Sequence, residues 1–167
     1  LGQSILIETR SFAESIKLTR QIDALCFPPE MWLGNDEVNL LVESEAESTI
    51  ICLNGVQIGQ GITLSERFVA DHLEDGDPAF VASERGVYSY SEAIIPEYQN
   101  QGYGVLLLQE ISIRMRQRGF SSISAHVRTR FGWHAKRRSV LRPFEQRMLH
   151  DFWENPAEKV EFQRSVL

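Results

Sequence analysis

Between residues 86 and 128 the chain reads as strand, glycine-entered helix, strand, and no other stretch limits the fold so tightly. Gly86 to Ile95 (GVYSYSEAII) alternates and is rich in β-formers, which predicts a strand. Pro96-Glu97-Tyr98 follows, then Gln99-Asn100-Gln101-Gly102-Tyr103-Gly104. Gly104 to Arg118 predicts a helix, with Val105, Leu106, Leu108, Ile111 and Met115 on its buried stripe and Gly119 at the C′ position. Ser121 to Arg128 predicts the next strand. The handover from strand to helix suits an anion. A first helical turn offers unpaired N–H groups and a partial positive charge, and glycine lets a phosphate approach the backbone closely.

Two glycines at this spacing also fit a plain tight turn, so the details of competing phosphate loops matter. A dinucleotide fingerprint needs a third small residue, and position 107 is Leu. A Walker loop needs Gly-Lys-Ser/Thr, and no lysine lies nearby. A kinase glycine loop comes with further signatures that are missing here.

Elsewhere, Ser4 to Thr9 predicts a strand and Ser11 to Leu25 a helix. That helix carries Phe12, Ile16, Leu18, Ile22 and Leu25 at helical spacing, and Ser11 with Glu14 forms a candidate capping box. Pro28-Pro29 stops it. A second helix is expected from about Asn35 to Glu45. Thr49–Leu53 and Val56–Leu64 predict a hairpin around Asn54-Gly55. Ser65 to Glu74 predicts a short helix, Asp75 to Pro78 a turn and Pro78 to Ser83 a short strand. Gly132 to about His150 reads as a helix interrupted at Pro143, and Val160 to Val166 as a last strand. The order implies an α/β chain of 167 residues forming one domain, 1–167, with helices on both faces of a sheet.

The charge is uneven. Residues 1–98 carry 17 acidic and 5 basic side chains, whereas residues 99–167 carry 6 and 12. Two solvated faces would produce this, and so would a cleft that attracts an anionic cofactor on one side and a cationic substrate on the other. The net charge of −6 argues against a nucleic-acid partner. Cys26 and Cys52 sit in apolar segments with no metal-ligand spacing, which predicts buried thiols. No run is apolar enough to span a bilayer, so a cytoplasmic protein without a membrane partner is expected.

Gln99, Gly102 and Gly104 resemble the [R/Q]-x-x-G-x-[G/A] motif of the GNAT N-acetyltransferase superfamily. Ile94-Ile95-Pro96-Glu97-Tyr98 resembles its apolar lead-in, and Leu106-Leu107 with Arg118-Gly119-Phe120 resembles its exit. The resemblance is close over about residues 86–128 and poor in the C-terminal quarter. It implies a GNAT-like α/β fold: a mixed, mostly antiparallel central sheet flanked by helices on both faces. It implies acetyl-CoA as co-substrate, with the pyrophosphate on the amides of Gln101, Gly102, Tyr103, Gly104 and Val105. The pantetheine arm would lie along Ile94, Ile95 and Pro96, with Gln99 alongside, and an amide at Ile94 or Ile95 would steady the oxyanion. No metal and no covalent enzyme intermediate are implied.

An amine with a pKa of about 10.4 arrives protonated and needs a base. Tyr88, Tyr90, Glu92 and Ile94 share one strand face. The resemblance makes this face catalytic, with Glu92 the first candidate base, Tyr90 beside it, and His126 on the next strand the second candidate. Hydrogen-bonded or packed strand side chains are the plain alternative for all three. Phe27, Trp32 and Tyr88 are candidates for the acceptor wall. Many relatives carry an Asn after this strand and a Tyr in the next helix that protonates the thiolate. Here the stretch Thr129 to Arg138 has neither, no Tyr follows Tyr103, and His134 is the substitute considered. Lys136, Arg137, Arg138 and Arg142 are either a solvated helix face or a rim for coenzyme A phosphates. The acceptor expected is a small amine or amino acid. A protein N-terminus or lysine is the alternative, as is a regulator that binds acyl-CoA without turnover. Homodimer formation is left open.

Overall fold

The computed structural model describes residues 2–72, 76–150, 152 and 158–167. Strand β1 (Ile5–Ser11) leads into helix α1 (Phe12–Cys26), and a 3-10 turn at Pro29–Met31 precedes α2 (Asn35–Glu43). Next come β2 (Glu47–Leu53), β3 (Val56–Ser65), α3 (Glu66–His72), β4 (Gly86–Ile94), α4 (Tyr103–Gln117) and β5 (Ser122–Arg128). The chain ends with α5 (Trp133–Leu141), β6 (Glu145–His150) and β7 (Lys159–Val166). The seven strands form one mixed sheet in the order β1-β2-β3-β4-β5-β7-β6, flanked by helices. β4 and β5 run parallel, while β1–β2, β2–β3, β5–β7 and β6–β7 are antiparallel. The α/β fold class therefore matches the one expected.

By packing, the chain divides into two compact units, residues 1–64 with 91–111 and residues 65–90 with 112–167. In the first unit, side chains of β3 alternate between helices. The Gln60 amide donates to Thr19 of α1 at 2.7 Å. A Cβ on the next residue, Gly61, would meet Ile111 of α4 at 2.4 Å. α1 and α4 therefore lie on opposite faces, and Gly61 allows the close approach of α4. The buried side of α1 is more polar than its periodicity suggested: Phe12, Ser15, Thr19, Ile22 and Asp23 point inward, and Leu25 is 56% exposed. Ser15 and Gln60 both bond Ser48, which satisfies these hydroxyls beneath the helix.

Three local expectations fail. Ser11 makes no side-chain cap: β1 runs directly into α1, and the Phe12 N–H at the first helical position is paired with the Ala46 carbonyl at 2.7 Å. Pro78–Ser83 is no strand. The predicted long C-terminal helix stops at Leu141, where Arg142 turns to φ 50° ahead of Pro143, and β6 follows. β6 carries no hydrophobic period because two of its inward positions are charged. Glu145, Arg147 and Leu149 alternate with exposed Gln146, Met148 and His150, so the period of two is present but not hydrophobic. The Asn54-Gly55 hairpin does form, with φ 51° and 82° at its two turn residues. Residues 73–75, at the end of the predicted short helix and the start of the predicted turn, lie outside the described residues.

In the second unit, β7 also alternates. Gln163 and Glu161 face Arg137 and Arg138 of α5. Phe162 and Arg164 face the other way, toward α3 and the segment 76–83. That second face is ionic. Arg164 bonds the fully buried Glu66 at 3.2 and 3.3 Å and Glu145 at 2.7 Å, and Arg147 bonds Glu145 and Asp77. Ser124 and the Ser83 amide complete the Glu66 carboxylate. A Cβ at Gly86 would sit 2.3 Å from that carboxylate, so glycine is required there.

Candidate functional site

The segment from Ile94 to Leu107 lies in the first unit, and its backbone turns sharply before α4. Asn100 and Gly102 take φ 60° and 90°, which folds the chain back before α4 begins. A Cβ at Gly102 would meet no atom within 4 Å, so the space before the helix is open. Val105 and Leu106 both donate to the Gly102 carbonyl, at 3.0 and 3.1 Å. The Val105 amide therefore already has an internal partner. Tyr103 and Gly104 occupy the first two helical positions, ahead of the i→i−4 ladder. Gln101 anchors the turn by donating to the Glu97 carbonyl at 3.0 Å.

The end of β4 is polarised. The Ile95 amide donates to Ile58 of β3 at 2.8 Å, so it is not available for an oxyanion. Successive amides alternate direction along a strand, so the Ile94 N–H points away from β3. The Ile94 carbonyl accepts from Gln99 Nε2 at 2.8 Å, which gives Gln99 a local role in holding the strand end. Pro96 opens a 3-10 turn and accepts from the Gln99 amide at 3.2 Å. Tyr98 meets Tyr103 edge to face at 6.4 Å. Glu92 and Tyr90, the nearest same-face residues of β4, are half-buried.

Phe27 and Trp32 are brought together in the first unit. The Phe27 amide caps α1 at Asp23, and its carbonyl accepts from the Trp32 indole at 2.8 Å. Trp32 is nonetheless 43% exposed.

Tyr88 and His126 meet in the second unit, in a buried array rather than at an open wall. The Tyr88 hydroxyl lies 2.8 Å from His126 Nδ1, and His126 Nε2 lies 2.9 Å from Asp77. Arg147 holds Asp77 at 2.7 Å. Burial alone would raise Asp77, but hydrogen bonds from Arg147 and His126 hold its carboxyl below the usual range. An ionised Asp77 accepts a hydrogen bond from Nε2–H, so Nδ1 is left to accept from the Tyr88 hydroxyl, and burial pushes that phenol up. The His126 ring stacks on Phe152 at 4.6 Å with Phe80 and Phe162 around it. Both of its nitrogens are engaged, which leaves none for a substrate proton. Nothing near Asp77 or Arg147 in the sequence signals this role. Asp77 reads there only as a turn former, and it lies 49 residues from His126.

Burial pushes the His126 imidazole below its ordinary value, against the pull of Asp77. Below the unfolded value of about 6.5, the unfolded chain takes a proton that the folded chain refuses. His126 therefore contributes stability above that pH, and the contribution is lost as pH falls toward the folded value. Urea unfolding from pH 7 to 5 is expected to show this slope. His126→Gln is expected to flatten it, and an unchanged slope would show that His126 is not its source.

Of the basic run, Arg137 is buried against Gln163 and Arg138 pairs with Glu161, while Lys136 and Arg142 are exposed. His134 is half-buried and its carbonyl accepts from Gln163 at 2.8 Å. Among the described residues no helix is long and apolar enough to cross a membrane.

The sequence profile of the acetyltransferase (GNAT) family matches residues 19–132. No curated protein matches the sequence. Among solved structures, the ribosomal-protein-S18-alanine N-acetyltransferase from Escherichia coli is similar in fold at 15% identity. Its TM-score is 0.70 over 98% of this chain and 94% of that one. Naa50 of Arabidopsis thaliana, solved with the bisubstrate analogue CoA-Ac-MVNAL, gives 10% identity and a TM-score of 0.66 over 98% and 99%. YncA of Salmonella typhimurium, solved with its cofactor acetyl-CoA, gives 13% and 0.66 over 98% and 94%. A profile covering more than half of the residues, on a fold shared along nearly the whole length, decides the assignment: the chain is an acyltransferase belonging to the acetyltransferase (GNAT) family.

Proposed function

We propose that the chain transfers the acetyl group of acetyl-CoA to a primary amine on a small molecule or amino acid, by direct attack of the amine on the thioester. The observation that carries the reading is the positive-φ Gly102 opening onto free space at the start of α4. In this reading the amides of Gly102, Tyr103 and Gly104 hold the pyrophosphate, with Gln101 fixing the turn. The outward Ile94 amide bonds the pantetheine arm or the thioester oxygen, and Pro96 offers its carbonyl. Glu92 takes the proton from the ammonium, directly or through one water, with Tyr90 beside it. The nitrogen then forms its bond to the acetyl carbon, the C–S bond breaks, and the second nitrogen proton passes to the departing thiolate, directly or through water. A thiol with a pKa of about 8.5 leaves without a dedicated acid.

The exposed Trp32 beside Phe27, on the acid-rich half of the sequence, supports an acceptor with a cationic head and an apolar body. The second reading, a protein N-terminus, is favoured by the alanine and peptide acceptors named for the Escherichia coli and Arabidopsis thaliana relatives.

Acetyl-CoA at a hundred times its Kd is expected to stabilise the fold by about 2.7 kcal/mol in a thermal-shift assay. Thiol release across a panel of amines, amino acids and peptides identifies the acceptor. Binding with silence across the panel would leave an acyl-CoA-binding regulator as the function. Gly102→Ala is expected to cost about 1–2 kcal/mol of stability, since no L side chain is comfortable at that φ. The added methyl faces the open space, so the affinity for coenzyme A should fall about tenfold or more by calorimetry. Unchanged affinity would remove this loop as the phosphate site.

A further inference from the structure

We infer that Arg20 and Asp23 are positioning residues for the amine acceptor: they clamp the backbone of Leu33 and thereby fix the Trp32 indole as a rigid wall for an amine with an apolar body. The inference rests on the reading above that Phe27 and Trp32 border the acceptor.

Arg20 and Asp23 stand three residues apart on α1 and so share one face. Arg20 donates to the Leu33 carbonyl at 3.3 Å, and the Asp23 carboxylate accepts from the Leu33 amide at 3.1 Å. Both polar backbone groups of one loop residue are thus held by side chains of a single helix. Arg20 also reaches Asn35, at the start of α2, at 2.9 Å. At the other end of the loop, the Asp23 carbonyl accepts from the Phe27 amide at 2.9 Å, and Phe27 in turn accepts from the Trp32 indole. Pro28 and Pro29 restrict φ between these points. The stretch from Phe27 to Leu33 is therefore closed upon itself and tied to α1 at both ends.

Such an arrangement is more than a helix connection needs. A connection of this length with an exposed tip ordinarily varies in conformation. Here a large aromatic residue stays exposed while its ring nitrogen and the residue that follows it are both fixed. An exposed aromatic whose freedom is already lost in the free protein binds a ligand with little further entropy loss. The Asp23 carboxyl is buried beneath the loop, and burial pushes it up, against the bond from Leu33. An amide oxygen at that position would accept the same hydrogen bond, which makes Asp23→Asn the conservative variant and Asp23→Ala the disruptive one.

The experiment uses the full chain in two measurements. In protein carrying 5-fluorotryptophan, the Trp32 fluorine resonance, assigned by its loss in Trp32→Phe, is expected to shift or broaden in Asp23→Ala and to return in Asp23→Asn. In steady-state kinetics, with the panel amine of highest turnover, Asp23→Ala is expected to raise the acceptor KM roughly tenfold, on the scale of one lost hydrogen bond. The KM for acetyl-CoA should stay unchanged, and Asp23→Asn should restore the acceptor KM. Asp23→Ala combined with Trp32→Ala should be no worse than Trp32→Ala alone, because the clamp acts through the indole. Arg20→Met, at an exposed position, supplies the same test if Asp23→Ala does not fold. Additive effects, or an equal rise in the KM for acetyl-CoA, would overturn the clamp while leaving the acceptor wall intact. An acceptor KM indifferent to Trp32→Ala, or a silent panel, would overturn the wall and the clamp together.

Discussion

Arg164→Leu is expected to cost the fold about 3–5 kcal/mol, the scale for stranding one partner of a buried ion pair. Glu66 is fully buried, and Arg164 is the cation bonded to it. Without that guanidinium, the carboxylate keeps the Ser124 hydroxyl and the Ser83 amide, neither of which carries charge. Arg164 also holds the Val81 carbonyl at 2.6 Å and stands over the Phe162 ring at 5.2 Å, so packing is lost with the charge. Urea unfolding measures the cost. Glu66→Leu with Arg164→Leu should recover much of it, since an apolar pair of similar volume does not leave a charge behind. The deficit of the single variant should shrink on acidification. A stranded carboxylate has a raised folded pKa, so the folded state gains a proton before the unfolded state does. A single-variant loss below about 1 kcal/mol would mean that the two neutral donors suffice for Glu66.

Glu92→Gln is expected to lower kcat/KM by about 10²–10³ at neutral pH, within the range of general-base contributions. Acetyl-CoA affinity should be untouched, because the loop at Gly102 is unaltered. The gap should narrow as pH rises toward the amine's own pKa of about 10.4, where the acceptor arrives already deprotonated. A rate and pH profile equal to those of the parent chain would remove Glu92 as the base and return attention to Tyr90.

The parts of this molecule legible in its sequence are those whose physics is local. The Asn54-Gly55 hairpin and the turn at Gly102 each depend on a few adjacent residues that tolerate positive φ, and composition records that directly. The ionic face of the second unit is the opposite case. Glu66 and Arg164 are 98 residues apart, and neither carries any mark of its partner. That face also concealed β6, because Glu145 and Arg147 occupy positions where a hydrophobic period would otherwise appear. His126 reads in the sequence as an ionisable residue on a strand, but its role depends on Asp77, Arg147 and Phe152, which only the fold assembles.

The charged lining above β5, β6 and β7 also bears on how this fold meets temperature. Hydrating apolar surface raises the heat capacity of the unfolded chain, and hydrating polar surface lowers it. Melting a layer built around Glu66, Asp77, Arg147 and Arg164 therefore adds less to that quantity than melting hydrocarbon of the same area. Its contribution to stability accordingly bends less between cold and heat than that of an oily interior.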